Sequence, residues 1–133
     1  MKFLGKVLAP DLYEIYKMGD VFVTASEIET QGIVLIEAAA SGLPLVAVNA
    51  GAVREICVNS ENGFLIEINK KSKSMISDVK SMISDAVSMI LKDEKMRERF
   101  SVNSVKFAGE HDFEKTLDKF MNIYQRVLNN KVK

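Results

Sequence analysis

The sequence predicts an α/β fold built on a parallel sheet, and three observations carry that prediction. Val21-Phe22-Val23-Thr24 and Leu45-Val46-Ala47-Val48 are apolar runs without polar alternation, which suits strands covered on both faces. Between them, Gln31 to Ser41 is apolar on nearly every side, with Glu37 its one charged residue, as in a buried helix. Strands and helices alternate with short connections, and such an order closes into right-handed parallel crossovers.

Taken in order, Lys2 to Leu4 begins a short strand that Gly5 ends, and Lys6-Val7-Leu8 form a loop. Pro10 opens a helix at its first position, with Asp11 in the first turn and Leu12, Ile15, Tyr16 and Met18 as its buried face. Gly19 closes it, and the Val21–Thr24 strand follows. The central helix ends at Ser41-Gly42-Leu43-Pro44, where Gly just past the last helical residue and Pro two further on form a stop. After the Leu45–Val48 strand, Asn62-Gly63 make a turn before a last short strand, Phe64 to Ile66. The next segment repeats every seven residues (SMISDVK, SMISDAV, SMIL), so Met75, Ile76, Met82, Ile83, Met89 and Ile90 recur at heptad spacing. It reads as one amphipathic helix of about five turns whose stripe packs on the sheet, or alternatively meets a partner or a membrane surface. Asp93 to Ala108 is a further helix, broken by Gly109. Phe113 to Leu128 is the last, with Leu117, Phe120, Ile123, Tyr124 and Val127 on one face.

Composition narrows the function. The 133 residues suffice for one domain with a core, and Lys plus Arg balance Asp plus Glu at 18 each. Neither a nucleic-acid nor a strong anionic-membrane footprint is expected. No run approaches a membrane span, and no secretory leader is expected. Cys57 stands alone, so neither a disulfide framework nor a metal cluster is expected, and the default setting is the reducing cytoplasm.

Glu37 concentrates the functional question. A carboxylate in a buried helix loses hydration unless it is paired or hydrogen-bonded. It either pairs with a core cation or backbone amide, or it faces a cleft and accepts hydrogen bonds from ligand hydroxyls. Spacing favours the cleft. The helix start at Gln31-Gly32-Ile33 offers free N–H groups and a positive dipole end, and Gly32 lets a ligand approach closely. Glu37 lies about 8–9 Å further along the axis. Glu29 sits just outside the helix. Hexose, diphosphate and ribose of a nucleotide sugar would follow the order Glu29, helix start, Glu37.

This stretch resembles the retaining glycosyltransferases of the GT-B fold, family four (glycosyl transferases group 1), in their C-terminal donor-binding domain. Ser26, Glu29, Gly32, Glu37, Ala38, Ala40, Gly42 and Pro44 fall on that family's Glu-x7-Glu motif. FLGKV and DLYEIYKMGDVFV resemble its opening segment, and Gly51, Glu55, Asn62, Gly63, Phe64 and Leu65 match further on, with Ala52 in place of a usual second glycine. Residues 67–92 depart from the family's short acidic-Pro loop.

The resemblance implies a Rossmann-like parallel sheet flanked by helices, incomplete relative to a full enzyme. Residues 1–112 would form the partial nucleotide-sugar-binding domain and 113–133 a helix crossing back to the acceptor domain. Glu29 would be the catalytic-site residue that orients the donor sugar, and Glu37 would bind the ribose. Thr30, Gln31, Gly32 and Ile33 would lie at the diphosphate. Gly51 would contact sugar or phosphate, and Lys6 and Val7 would reach the base through backbone groups. Arg54 reads as a surface ion-pair partner or a phosphate ligand, and His111 as a loop residue. The implied reaction transfers a hexose from a UDP-glucose-like donor with retention, with neither cofactor nor metal, to a sugar or glycolipid acceptor. The missing acceptor-binding domain would be in the same or a separate chain. The full-length protein would be cytoplasmic or peripheral at the inner membrane face. A non-catalytic or split-subunit sugar-nucleotide-binding module is the alternative, and a degenerate oligomerisation module a third.

Overall fold

The computed structural model describes residues 2–8, 11–68 and 75–130. Three parallel strands, β1 (Phe22–Thr24), β2 (Leu45–Val48) and β3 (Gly63–Ile66), lie in the order β1-β2-β3. Phe22 pairs with Leu45 and Thr24 with Ala47, while Leu45 pairs with Gly63 and Val48 with Ile66. The helices are α1 (Asp11–Lys17), α2 (Ile33–Ala40), α3 (Val53–Ile56), α4 (Met75–Lys92), α5 (Glu94–Ala108) and α6 (Phe113–Asn130), with a 3₁₀ turn at Gly109–His111. The order and pairing are those of the parallel α/β sheet that the sequence predicts.

The central strand explains its own sequence. All four residues of β2 are buried, and they alternate between two cores. Leu45 and Ala47 join Leu35, Ala38 and Ala39 of α2 and Val53 and Ile56 of α3 on one face. Val46 and Val48 join Ile66, Ala86 and Ile90 of α4 and Phe100 of α5 on the other. With a helical layer on each side, no position in β2 can be polar.

Local chemistry sets the helix ends. At the end of α2, Gly42 (φ 81) takes the left-handed conformation. Its N–H donates to Ala39 O, and that of Leu43 to Ala38 O, the paired bonds of a Schellman ending. Asp93 caps α5 by accepting the N–H of Met96 at 3.0 Å. Along α5, Ser104 Oγ donates to Leu43 O at 2.8 Å, and Asn103 Nδ2 to Glu61 O at 2.8 Å. Both acceptors lie in the loops that enter β2 and β3. Helix α5 therefore closes the N-terminal ends of the strands and leaves their C-terminal ends to the loops 25–32, 49–52 and 67–68.

Several expectations are corrected. Residues 2–4 form no strand: they join no ladder, and Phe3 and Leu4 are 84% and 51% exposed. A strand exists only by pairing, and β1, the neighbour it would need, stands at the sheet edge. Strand β1 is also not covered on both faces: Val23, between half-buried Phe22 and Thr24, is 43% exposed. Met18 lies beyond α1 and is solvent-exposed instead of completing its buried face. Pro10, expected to open α1, lies outside the described residues. The central helix starts at Ile33, two residues after Gln31, because Gly32 stands before it in the left-handed conformation. In α4 the face turned to the sheet is Val79, Ile83, Ala86, Val87 and Ile90, whereas Met82 and Met89 are exposed. Adjacent Met and Ile residues point about 100° apart on a helix, so one stripe cannot hold both. The short helix α3 was not expected at all. Helix α6 carries its apolar face from Phe113 to Leu128 exposed to solvent. Among the described residues, no helix is long and apolar enough to cross a membrane.

Candidate donor-binding site

Two loops at the C-terminal ends of β1 and β2 are fastened to each other. The first, after β1, is braced internally: Ser26 Oγ donates to Ile28 O at 2.9 Å, and the Ser26 N–H to Thr24 Oγ1 at 3.3 Å. The Glu29 carbonyl accepts the N–H of Ala52 at 3.1 Å. Gly51 makes this approach possible, since a Cβ built there would lie 1.8 Å from Glu29 O. Gly51 thus meets the Glu29 backbone through contact with its carbonyl.

The Glu29 side chain turns back on its own loop. Its Oε1 accepts the N–H of Gly32, the residue before α2, at 3.0 Å. The Gly32 carbonyl takes the N–H groups of Leu35 and Ile36. The N–H groups of Ile33 and Val34 have no acceptor among the described residues. Two free donors at the positive end of a helix dipole, with exposed Thr30 and Gln31 beside them, can hold an oxyanion such as a phosphate.

Just over one turn along α2, Glu37 is half-buried. Its Oε2 accepts the Tyr16 hydroxyl at 3.2 Å, and only that oxygen is engaged among the described residues. The partner is neither of those expected, a core cation or a backbone amide, but a phenol from α1. Burial, then the hydrogen bond and the charge of Glu37, push the Tyr16 hydroxyl up to about 12, so it stays a donor at neutral pH. The structure therefore sets a capped acidic loop, two free amides and a second carboxylate along one helix.

The other expected residues are more scattered. Lys6 is exposed and Val7 half-buried in the segment before α1. Arg54 is exposed on α3, and His111 is half-buried at the end of the 3₁₀ turn. Among the described residues, no group of three His, Cys, Asp or Glu side chains could hold a metal ion. Beside the Gly51 loop, Glu27, Asn49, Ala50, Gly51, Glu67 and Ile68 border an open cleft of about 270 Å³. There Asn49 Nδ2 donates to Glu67 Oε1 at 2.6 Å. Asn49 and Glu67 went unnoticed in the sequence, although polar residues directly after parallel strands mark the crevice side of such sheets.

The chain matches the family model "Glycosyl transferases group 1" over residues 1–107. It belongs to this family. Among its relatives, the sulfoquinovosyl transferase SQD2 of Arabidopsis thaliana is 44% identical over 61 residues, which are 46% of this chain and 12% of that protein. The N-acetyl-alpha-D-glucosaminyl L-malate synthase of Bacillus anthracis is 27% identical over 127 residues, 95% of this chain and 30% of that one. The crystal structure of the pneumococcal O-GlcNAc transferase GtfA, in complex with UDP and GlcNAc, superposes with a TM-score of 0.72 at 27% identity. That likeness covers 88% of this chain and 23% of GtfA. This group 1 glycosyltransferase chain therefore spans a minor part, 12% to 30%, of the length of these relatives. Its fold is that of a C-terminal Rossmann-like domain of a GT-B glycosyltransferase.

Proposed function

We propose that this chain is the donor-binding part of a hexosyltransferase that moves a sugar from a nucleoside-diphosphate donor, UDP-glucose-like, to an acceptor with retention of configuration. One observation carries the reading: the free Ile33 and Val34 amides lie between the loop of Glu29 and the carboxylate of Glu37, at the C-terminal side of a parallel sheet. In this reading the helix start and Thr30 and Gln31 bind the diphosphate and stabilise its departure. Glu37 accepts the ribose diol, and Glu29 orients the hexose. Gly51 keeps the Glu29 backbone in place beside the sugar, and Lys6 and Val7 offer backbone contacts to the base. The chemistry needs positioning and charge stabilisation, supplied by this chain without cofactor or metal. The choice of UDP is favoured by the UDP bound in the pneumococcal relative.

Residues 1–112 form the nucleotide-sugar-binding unit in this proposal, and 113–133 the helix that returns to the acceptor-binding domain. The exposed apolar face of α6 favours a protein surface there, in the same chain or in a separate subunit. The acceptor is a sugar or glycolipid, and the whole protein works in the cytoplasm or at the inner membrane face. Calorimetric titration with UDP, UDP-glucose and GDP-mannose tests the site. Glu37→Ala should weaken binding of the preferred donor by about 1–3 kcal/mol. Unchanged affinity would remove Glu37 from the ribose.

A further inference from the structure

The phenol of Tyr16 stands 21 positions from Glu37 in the sequence, on another helix, yet it meets the Glu37 carboxylate. Its half-buried ring is held on one side. It packs against the core formed by α2, β2 and α3, and lies tilted at 60° to Phe22 with centroids 6.1 Å apart. The hydroxyl is thus delivered from a ring packed on the core to a side chain that, alone on a helix, would sample several rotamers.

The stoichiometry of the contact also matters. An ionised carboxylate offers about four lone-pair positions on two oxygens. Tyr16 occupies one on Oε2. This leaves three positions, two on Oε1 and one on Oε2, enough to accept both hydroxyls of a vicinal diol. A phenol is suited to this task because it adds a donor without adding charge, so the carboxylate keeps its full negative charge for the ligand. A lysine or arginine in the same place would neutralise it and compete for both oxygens.

We propose that Tyr16 is a positioning residue, holding the Glu37 carboxylate in the orientation that accepts the two hydroxyls of the donor ribose. The inference rests on the ribose role of Glu37 proposed above. Tyr16 touches no part of the nucleotide itself. Its effect is confined to the part of the affinity that comes from the ribose hydroxyls.

The test compares UDP with 2′,3′-dideoxy-UDP by calorimetry in the complete protein containing this chain, for wild type, Tyr16→Phe, Glu37→Ala and the double variant. Thermal melting of each confirms folding. The wild type should prefer UDP, and Glu37→Ala should abolish that preference. Tyr16→Phe should reduce it about three- to tenfold while affinity for the dideoxy nucleotide stays the same, and the double variant should be no worse than Glu37→Ala alone. If Glu37→Ala keeps the preference, the ribose reading fails and the inference with it. If Glu37→Ala loses the preference but Tyr16→Phe keeps it, the reading stands and the inference is wrong. If Tyr16→Phe weakens both nucleotides equally, Tyr16 serves packing alone, which also overturns the inference.

Discussion

Replacing Gly51 by alanine places a methyl carbon 1.8 Å from the Glu29 carbonyl oxygen and 2.9 Å from its carbonyl carbon. A carbon and a carbonyl oxygen normally rest at about 3.3–3.6 Å, so the two loops must separate by about 1.5 Å. The oxygen is backbone and the methyl is fixed to backbone, so no rotamer change relieves the overlap. Separation breaks the bond from the Ala52 N–H to Glu29 O, a loss of about 0.5–1.5 kcal/mol. Alanine at φ 51 adds about 1–2 kcal/mol for the left-handed conformation. The sum, about 1.5–3.5 kcal/mol, corresponds to a fall in Tm of roughly 10 °C for a domain of this size. Gly5→Ala is the control. Gly5 has φ 68 but no atom within 4 Å of a new Cβ, so only the conformational cost applies. Thermal and urea denaturation followed by circular dichroism would measure both. If Gly51→Ala melts together with Gly5→Ala, the loops are not locked by this contact and Glu29 is not held by Gly51.

Two further outcomes follow from the cores. Phe100→Ala removes a fully buried ring that meets Phe64 edge-on at 5.5 Å, and should cost about 3–5 kcal/mol in chemical denaturation; a loss below 1 kcal/mol would mean that α5 does not pack there. Burial pushes the Cys57 thiol from 9.0 up to about 12, so thiol reagents at pH 8 should label it only at the rate of unfolding, and fast labelling of folded protein would contradict its burial. Because this folded value lies above the unfolded one, Cys57 stabilises the fold fully below pH 9.0, and that contribution is lost as pH rises toward about 12. Tyr16 acts in the same direction between 10.0 and about 12, so the urea midpoint should fall steadily above pH 9.

What the sequence revealed was local. The stop at Ser41 to Pro44 is a Schellman ending because its residues carry the needed conformations themselves. The uniform apolarity of β2 is legible because both its faces are covered. Glu29 and Glu37 stand on either side of the helix start because α2 carries Glu37 and the bonds to Gly32 and Ala52 hold Glu29 just before it. What it concealed depends on partners distant in the chain. Whether residues 2–4 become a strand is decided by pairing, and whether β1 is buried is decided by what packs over its faces. The partner of Glu37 comes from α1, and no spacing within the motif points to it. Gly51 matches the family pattern, but only the fold reveals that the carbonyl of Glu29 is what it must admit. In α4 the heptad repeat is plain, whereas the sheet-facing stripe of Val79, Ile83, Ala86, Val87 and Ile90 comes from the geometry of the sheet.

Strand β2 gives its alternate residues to two separate cores, so neither core has a wall of its own on that side. Peeling α4 and α5 from Val46 and Val48 exposes the back of the same four residues on which α2 rests. The backbone amides of β2 are thereby enclosed from both directions and bonded to β1 and β3. Opening events that release them must dismantle both layers at once, which makes β2 the place where local fluctuation gives way to global unfolding. The donor loops hang from the end of this strand and its neighbour. The frame that aligns them is kept or lost as one cooperative unit.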